Sequence, residues 1–225
     1  MGRTQMLPSF DNPRGFWENS LIVAAHDKLL KALDHDWTTA AGMPERWADT
    51  DAADAAVEEI SNILKTDFDA GKDKLVKDPR LCVLLPIWPR IAAATGHDLH
   101  VMGVLRHPEA VGASIGKRNQ LDTETVAKIV GSQFASLRDN LSDDVPVLIY
   151  ENLIPLSGVE ILEKFAQFLP HLDVDKSGNM ANLVNRIVAD RKVSKSTGDT
   201  SPYAAFLARN AGALFADDAS MKNFF

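Results

Sequence analysis

The residues of this chain whose types and spacing could do chemistry are mostly charged, and the chemistry they suit is the capture of a multiply charged anion. In Val104-Leu105-Arg106-His107-Pro108 an apolar run ends in an arginine and passes at once into a proline-started stretch that carries Ser114, Lys117 and Arg118. Ligands of open α/β sheets gather beyond the carboxyl ends of the strands, where the next helix offers amide donors and the positive end of its dipole. Ser114, Lys117 and Arg118 stand at i, i+3 and i+4, so a hydroxyl and two cations can share one helical face. The plainer reading makes Arg106 half of a structural ion pair and Ser114 a small packing residue.

A second group, Lys77-Asp78-Pro79-Arg80, sets two cations and a carboxylate at what would be the same sheet edge. Asp78 before Pro79 is also an ordinary helix start, with the carboxylate as cap and proline in the first turn. Gly112-Ala113-Ser114-Ile115-Gly116-Lys117-Arg118 is not a phosphate loop: its glycines are one residue too close, and Arg118 replaces the hydroxyl residue. His97 and His100 are a near-pair without a further ligand, so no metal is expected. Cys82 is alone, which excludes an internal disulfide and fits a reducing, cytoplasmic setting.

These groups need a scaffold, and the composition can supply one. With 45% apolar and 24% charged residues among 225, the chain can bury a core as one domain. Thirty-one acidic against 24 basic residues leave a net charge of −7, which argues against broad adhesion to nucleic acid or anionic lipid and makes any anion site a local one. The most apolar run, 81–95, is interrupted by Pro86, Pro89 and Arg90 and is too short to span a bilayer. The first residues match neither a signal peptide nor a myristoylation site.

Residues 1–17 predict an irregular lead-in. Leu21, Ile22, Ala25, Leu29, Leu30 and Leu33 then follow helical spacing. A second amphipathic helix is expected over 49–64, with its acidic residues on a solvated face. Strands are expected at 74–77, 99–105 and 145–150, alternating with helices at 80–94, 108–117, 122–140 and 158–168, and Pro86 and Pro89 should bend or break the first of these four. Such alternation predicts a parallel sheet with right-handed crossovers. A polar stretch and a helix are expected over 190–225, where Arg191-Lys192-Val193 reads as a solvated loop.

Taken in order, Asn12-Pro13-Arg14-Gly15-Phe16-Trp17-Glu18, Lys77-Asp78-Pro79-Arg80-Leu81, Arg106-His107-Pro108 with Ser114, and Val147-Leu148-Ile149-Tyr150-Glu151-Asn152-Leu153 resemble bacterial sulfotransferase-like proteins over residues 10–170. The resemblance implies a three-layer α/β fold of the P-loop kinase kind, a mostly parallel sheet flanked by helices. It implies 3′-phosphoadenosine 5′-phosphosulfate as donor, a small-molecule or glycan acceptor, and no metal. Arg106 and Ser114 would hold the 3′-phosphate, Lys77 or Arg80 would lie near the leaving phosphate, and Glu18 would be the general base. The family's opening strand and Arg-Ser-Gly-Thr-like loop have no counterpart here, so a central first strand is expected to be absent. Two further readings follow: a non-catalytic interaction protein that kept the fold, and a P-loop kinase relative.

Overall fold

The computed structural model describes residues 1–10, 12, 15–142, 145, 147–150 and 156–168. These fall into two compact units, one formed by Met1–Leu99 with Lys128–Asn140, the other by His100–Ala127 with the described residues from Leu141 onward. The expected elements beyond 168, including the loop and helix of 190–225, lie outside the described residues.

The first unit is helical. Helix α1 (Ser20–Ala32) starts where Asn19 Oδ1 accepts from the amides of Leu21 and Ile22, each at 3.1 Å. Helix α2 (Asp51–Thr66) is capped by Thr50, whose hydroxyl accepts from Ala53. The apolar stripes meet as expected: Ile22, Leu29 and Leu30 of α1 join Val57, Ile60 and Leu64 of α2 in one buried cluster. Its remaining walls come from helices α3 (Leu81–Leu84) and α4 (Trp88–Thr95), through Val83, Leu84, Trp88 and Ile91. The prolines break the expected 80–94 helix in the manner predicted. Leu85–Ile87, containing Pro86, tightens into a single 3-10 turn, and Pro89 sits in the first turn of α4. Gly96 ends α4 at φ 68°, a left-handed cap that costs glycine little.

The lead-in is irregular but firmly attached. Asp67, just past α2, accepts from the Thr4 amide at 3.1 Å, the Thr4 hydroxyl at 2.5 Å and Asn19 Nδ2 at 2.6 Å. Its burial raises the carboxyl pKa, yet the bonds from Thr4 and Asn19 outweigh that and hold it below its usual 3.8. Gly2 packs so closely here that a side chain would collide with Asn19, Asp67 and Phe68.

The expected strand at 74–77 is not formed. The segment has no regular structure and pairs with no described strand, and Leu75 is 61% exposed instead of facing a core. Lysines at 74 and 77 bracket only two apolar residues, too little to hold a ladder.

The second unit contains the sheet. Strands β1 (Gly103–Leu105) and β2 (Val147–Ile149) pair in parallel, with Leu105 opposite Ile149. Both are shorter than expected, because 99–102 carries no ladder and Val145 lies in a bend. Helix α5 (Pro108–Asn119) follows β1, and α6 (Thr123–Asn140) begins in this unit after Asp122, which accepts from the Thr125 amide and hydroxyl. Helix α7 (Gly158–Phe168) has the expected bounds. A reciprocal cap opens it: the Ser157 amide donates to Glu160 Oε2 at 2.7 Å, and the Glu160 amide donates back to the Ser157 hydroxyl. The architecture is thus a helix-rich α/β one, with a two-stranded parallel sheet among the described residues.

Among the described residues no helix is long and apolar enough to cross a membrane.

Candidate functional site

The residues expected to do chemistry are divided between the two units: Glu18, Lys77 and Arg80 belong to the first, Arg106 and Ser114 to the second. Each group is built by different local physics.

In the first unit Glu18, Lys77 and Arg80 converge. Lys77 Nζ donates to Glu18 Oε1 at 2.6 Å and to the Phe16 carbonyl at 3.0 Å. The Glu18 side chain is 7% exposed, and its Oε2 lies 4.0 Å from an Arg80 guanidinium nitrogen. Glu18 does not start α1, as a plainer reading would have it; that place is taken by the Asn19 cap, and Glu18 is turned inward just before it. Trp17 between them holds φ at 58°, a left-handed conformation unusual for a bulky residue, and its side chain stays exposed.

Arg80 is more fully engaged. Its Nε and one terminal nitrogen grip both oxygens of Asp27, at 2.6 and 3.3 Å, and the other terminal nitrogen reaches Asp78 Oδ1 at 3.0 Å. Asp78 serves two ends. Oδ1 also accepts from the Arg80 amide at 2.9 Å, which shapes the turn entering α3, so the capping role and the charged role coexist. Oδ2 lies 2.8 Å from His26 Nδ1, with both side chains buried. Burial pushes the Asp78 pKa up, but the His26 bond and the Arg80 charge outweigh it and hold the carboxyl below 3.8. An ionised carboxylate only accepts, so the hydrogen in this bond is on His26 Nδ1.

The His26–Asp78 pair is the element that sequence reasoning missed. His26 lies on the apolar stripe of α1, between Ile22 and Leu30, and its ring meets Trp88 edge-on at 5.9 Å between centroids. Its Nε2, the Ser61 hydroxyl and the Trp88 indole nitrogen are buried without hydrogen-bond partners among the described residues. The available signal was a histidine on a stripe otherwise filled by aliphatic residues, which demands a buried partner. At Cys82 burial pushes the thiol up to about 11, which disfavours the thiolate, and Sγ–H donates to the Pro79 carbonyl.

In the second unit Arg106 immediately follows β1 and Tyr150 immediately follows β2. Because Leu105 pairs with Ile149, both land at the same level on the carboxyl edge of the sheet, and the Arg106 guanidinium carbon sits 5.2 Å from the centre of the Tyr150 ring. Arg106 is half-buried, while Ser114, Lys117 and Arg118 are exposed on α5, consistent with one polar face. The amino end of α5 offers an anion less than expected. Pro108 has no N–H, and the Glu109 amide donates to His107 Nδ1 at 3.3 Å, so Ala110 is the first-turn amide left for a ligand.

Among the described residues no group of three or more His, Cys, Asp or Glu side chains is arranged to hold a metal ion. Comparison of the chain with protein-family models, with curated proteins and with solved structures finds no match.

Proposed function

We propose that this chain is a sulfotransferase-type protein of the P-loop kinase-like α/β class that binds 3′-phosphoadenosine 5′-phosphosulfate through Arg106 and Ser114. The observation that carries the reading is Arg106 at the carboxyl edge of two parallel strands, its guanidinium over the Tyr150 ring. Such an edge is where α/β sheets receive ligands, and a ring beside a guanidinium helps to orient it. With one first-turn amide left to help, the arginine has to supply most of the affinity.

The transfer asks the protein for positioning and charge. A hydroxyl or amine of a small-molecule or glycan acceptor attacks sulfur, the sulfur–oxygen bond to the 5′-phosphate breaks, and 3′-phosphoadenosine 5′-phosphate leaves. Within the first unit we assign Glu18 the role of general base and Lys77 that of partner to an oxyanion, on the strength of their contact. The protein works in the cytoplasm, where a lone Cys82 is at home.

Calorimetric titration with 3′-phosphoadenosine 5′-phosphate tests it. Binding is expected, and Arg106→Ala should weaken it more than tenfold, or about 1.4 kcal/mol. No binding by either protein rejects the donor assignment. A second reading, a non-catalytic interaction protein, is favoured by one observation: Lys77 and Arg80 are already held by Glu18, Asp27 and Asp78, three carboxylates against two cations. Donor binding without transfer to any acceptor would select it.

A further inference from the structure

Lys77 and Arg80 carry the same charge within one short motif, yet they are held in different ways. Arg80 is clamped on two sides, by Asp27 through two nitrogens and by Asp78 through a third, and Asp78 is itself fixed by His26 in the core. Moving Arg80 would leave Asp78 buried with one partner fewer, a costly outcome for a carboxylate 1% exposed. Lys77 has one carboxylate partner, Glu18, which is 7% exposed and has an Arg80 nitrogen 4.0 Å away as well. The Lys77 side chain is 50% exposed, two of its three N–H donors are engaged, and both acceptors come from the single short stretch Phe16–Glu18.

That stretch is strained. Trp17, between Phe16 and Glu18, is left-handed where the Phe16 carbonyl and the Glu18 carboxylate close around one ammonium. A bulky residue in that conformation costs about 1 kcal/mol or more, so the closed arrangement persists only while its contacts outweigh the strain. Loss of the ammonium removes both bonds at once and lets Trp17 relax.

We propose that the Lys77–Glu18 contact is a latch: an oxyanion arriving at Lys77 draws the ammonium away from Glu18 and releases its carboxylate, while Arg80 stays in place as a positioning residue. The proposal rests on the reading above for the roles of Glu18 and Lys77, and it adds that the base is withheld until the anion is present. An ammonium held by a carboxylate 2.6 Å away has its charge largely spent. The incoming anion must therefore compete with Glu18, and its apparent affinity is lowered by that competition.

The probe is inorganic sulfate, titrated into the full chain while the carboxyl carbon resonance of Glu18, assigned by its loss in Glu18→Gln, is followed by NMR. Sulfate should move that resonance saturably, Lys77→Met should abolish the response, and Glu18→Gln should bind sulfate roughly tenfold more tightly. Asp27→Asn removes a carboxylate from Arg80 instead; it should change sulfate affinity less than threefold, which separates a latch from a general gain in positive field. The latch is overturned if sulfate binds while the Glu18 resonance stays still, if wild type and Glu18→Gln bind sulfate equally, or if neither binds it. Should Lys77→Met fail to fold, the comparison of wild type with Glu18→Gln decides alone. A separate titration with 3′-phosphoadenosine 5′-phosphate keeps the two ideas apart. Nucleotide bound through Arg106 with Glu18 unmoved removes the latch and spares the donor assignment. Sulfate moving Glu18 without any nucleotide binding does the reverse.

Discussion

Arg80 and Arg106 are the same residue type at two motif positions that look alike in sequence, each just ahead of a helix and within two residues of a proline, yet their surroundings differ. Arg80 is gripped along its N–H edge by two carboxylates, one of them buried and backed by His26. The Arg106 guanidinium carbon lies over the Tyr150 ring, 5.2 Å from its centre. Edge-on carboxylates both orient and neutralise a guanidinium, whereas an aromatic face orients it and adds no opposing charge. The first arrangement is architecture; the second is the one that the proposed donor site would use.

The sharpest way to break this contrast is to remove the buried partner of Arg80. Asp78→Ala leaves His26 and Arg80 without their shared carboxylate and should destabilise the fold by about 3–5 kcal/mol, seen as a lower urea midpoint at an unchanged slope. A loss below about 1 kcal/mol would mean that the cluster is no more architectural than a surface pair.

Acid should expose the same difference. Asp78 and Asp67 titrate below their usual 3.8 in the folded protein, so each adds stability that is fully present above that value and is lost as pH falls through the lower folded value. Thermal midpoints measured from about pH 6 to about pH 2 should therefore fall steeply only below about pH 4, and Asp78→Asn should flatten that fall. An unchanged profile in the variant would remove Asp78 from the account.

The smallest effect belongs to the second unit. Tyr150→Leu keeps an apolar neighbour but removes the ring face, and should cost about 0.5–1 kcal/mol in stability. It should also weaken 3′-phosphoadenosine 5′-phosphate binding measurably, because Arg106 loses its orienting surface. Stability lost with nucleotide binding untouched would place Arg106 among the architectural arginines.

How far these differences could be read from sequence depends on whether a residue's role is set locally. The two prolines of 81–95 act on their own backbone, so the break between α3 and α4 is legible, as is α7 from its five apolar positions and the Ser157–Glu160 cap. A strand requires a neighbour, and residues 74–77 have the local pattern without one. The His26–Asp78 pair joins residues 52 positions apart, and nothing beside Asp78 signals it, since an Asp-Pro pair is satisfied by its own turn. For the same reason the occupancy of Lys77 by Glu18 stayed hidden: each looks solvated until the chain is folded. The filled amino end of α5 was legible in principle, because His107 before Pro108 is a capping residue ahead of one with no amide hydrogen.

The attachment of the lead-in bears on the order in which this molecule comes apart. Thr4, Asn19 and Asp67 tie the first residues, the start of α1 and the end of α2 into one knot, with Gly2 wedged among them. Peeling the lead-in away strips Asp67 of the Arg3 and Thr4 bonds and breaks the Met6 and Ser20 bonds with them, so the amide hydrogens of Arg3, Thr4, Met6 and Ser20 are expected to become exchangeable together.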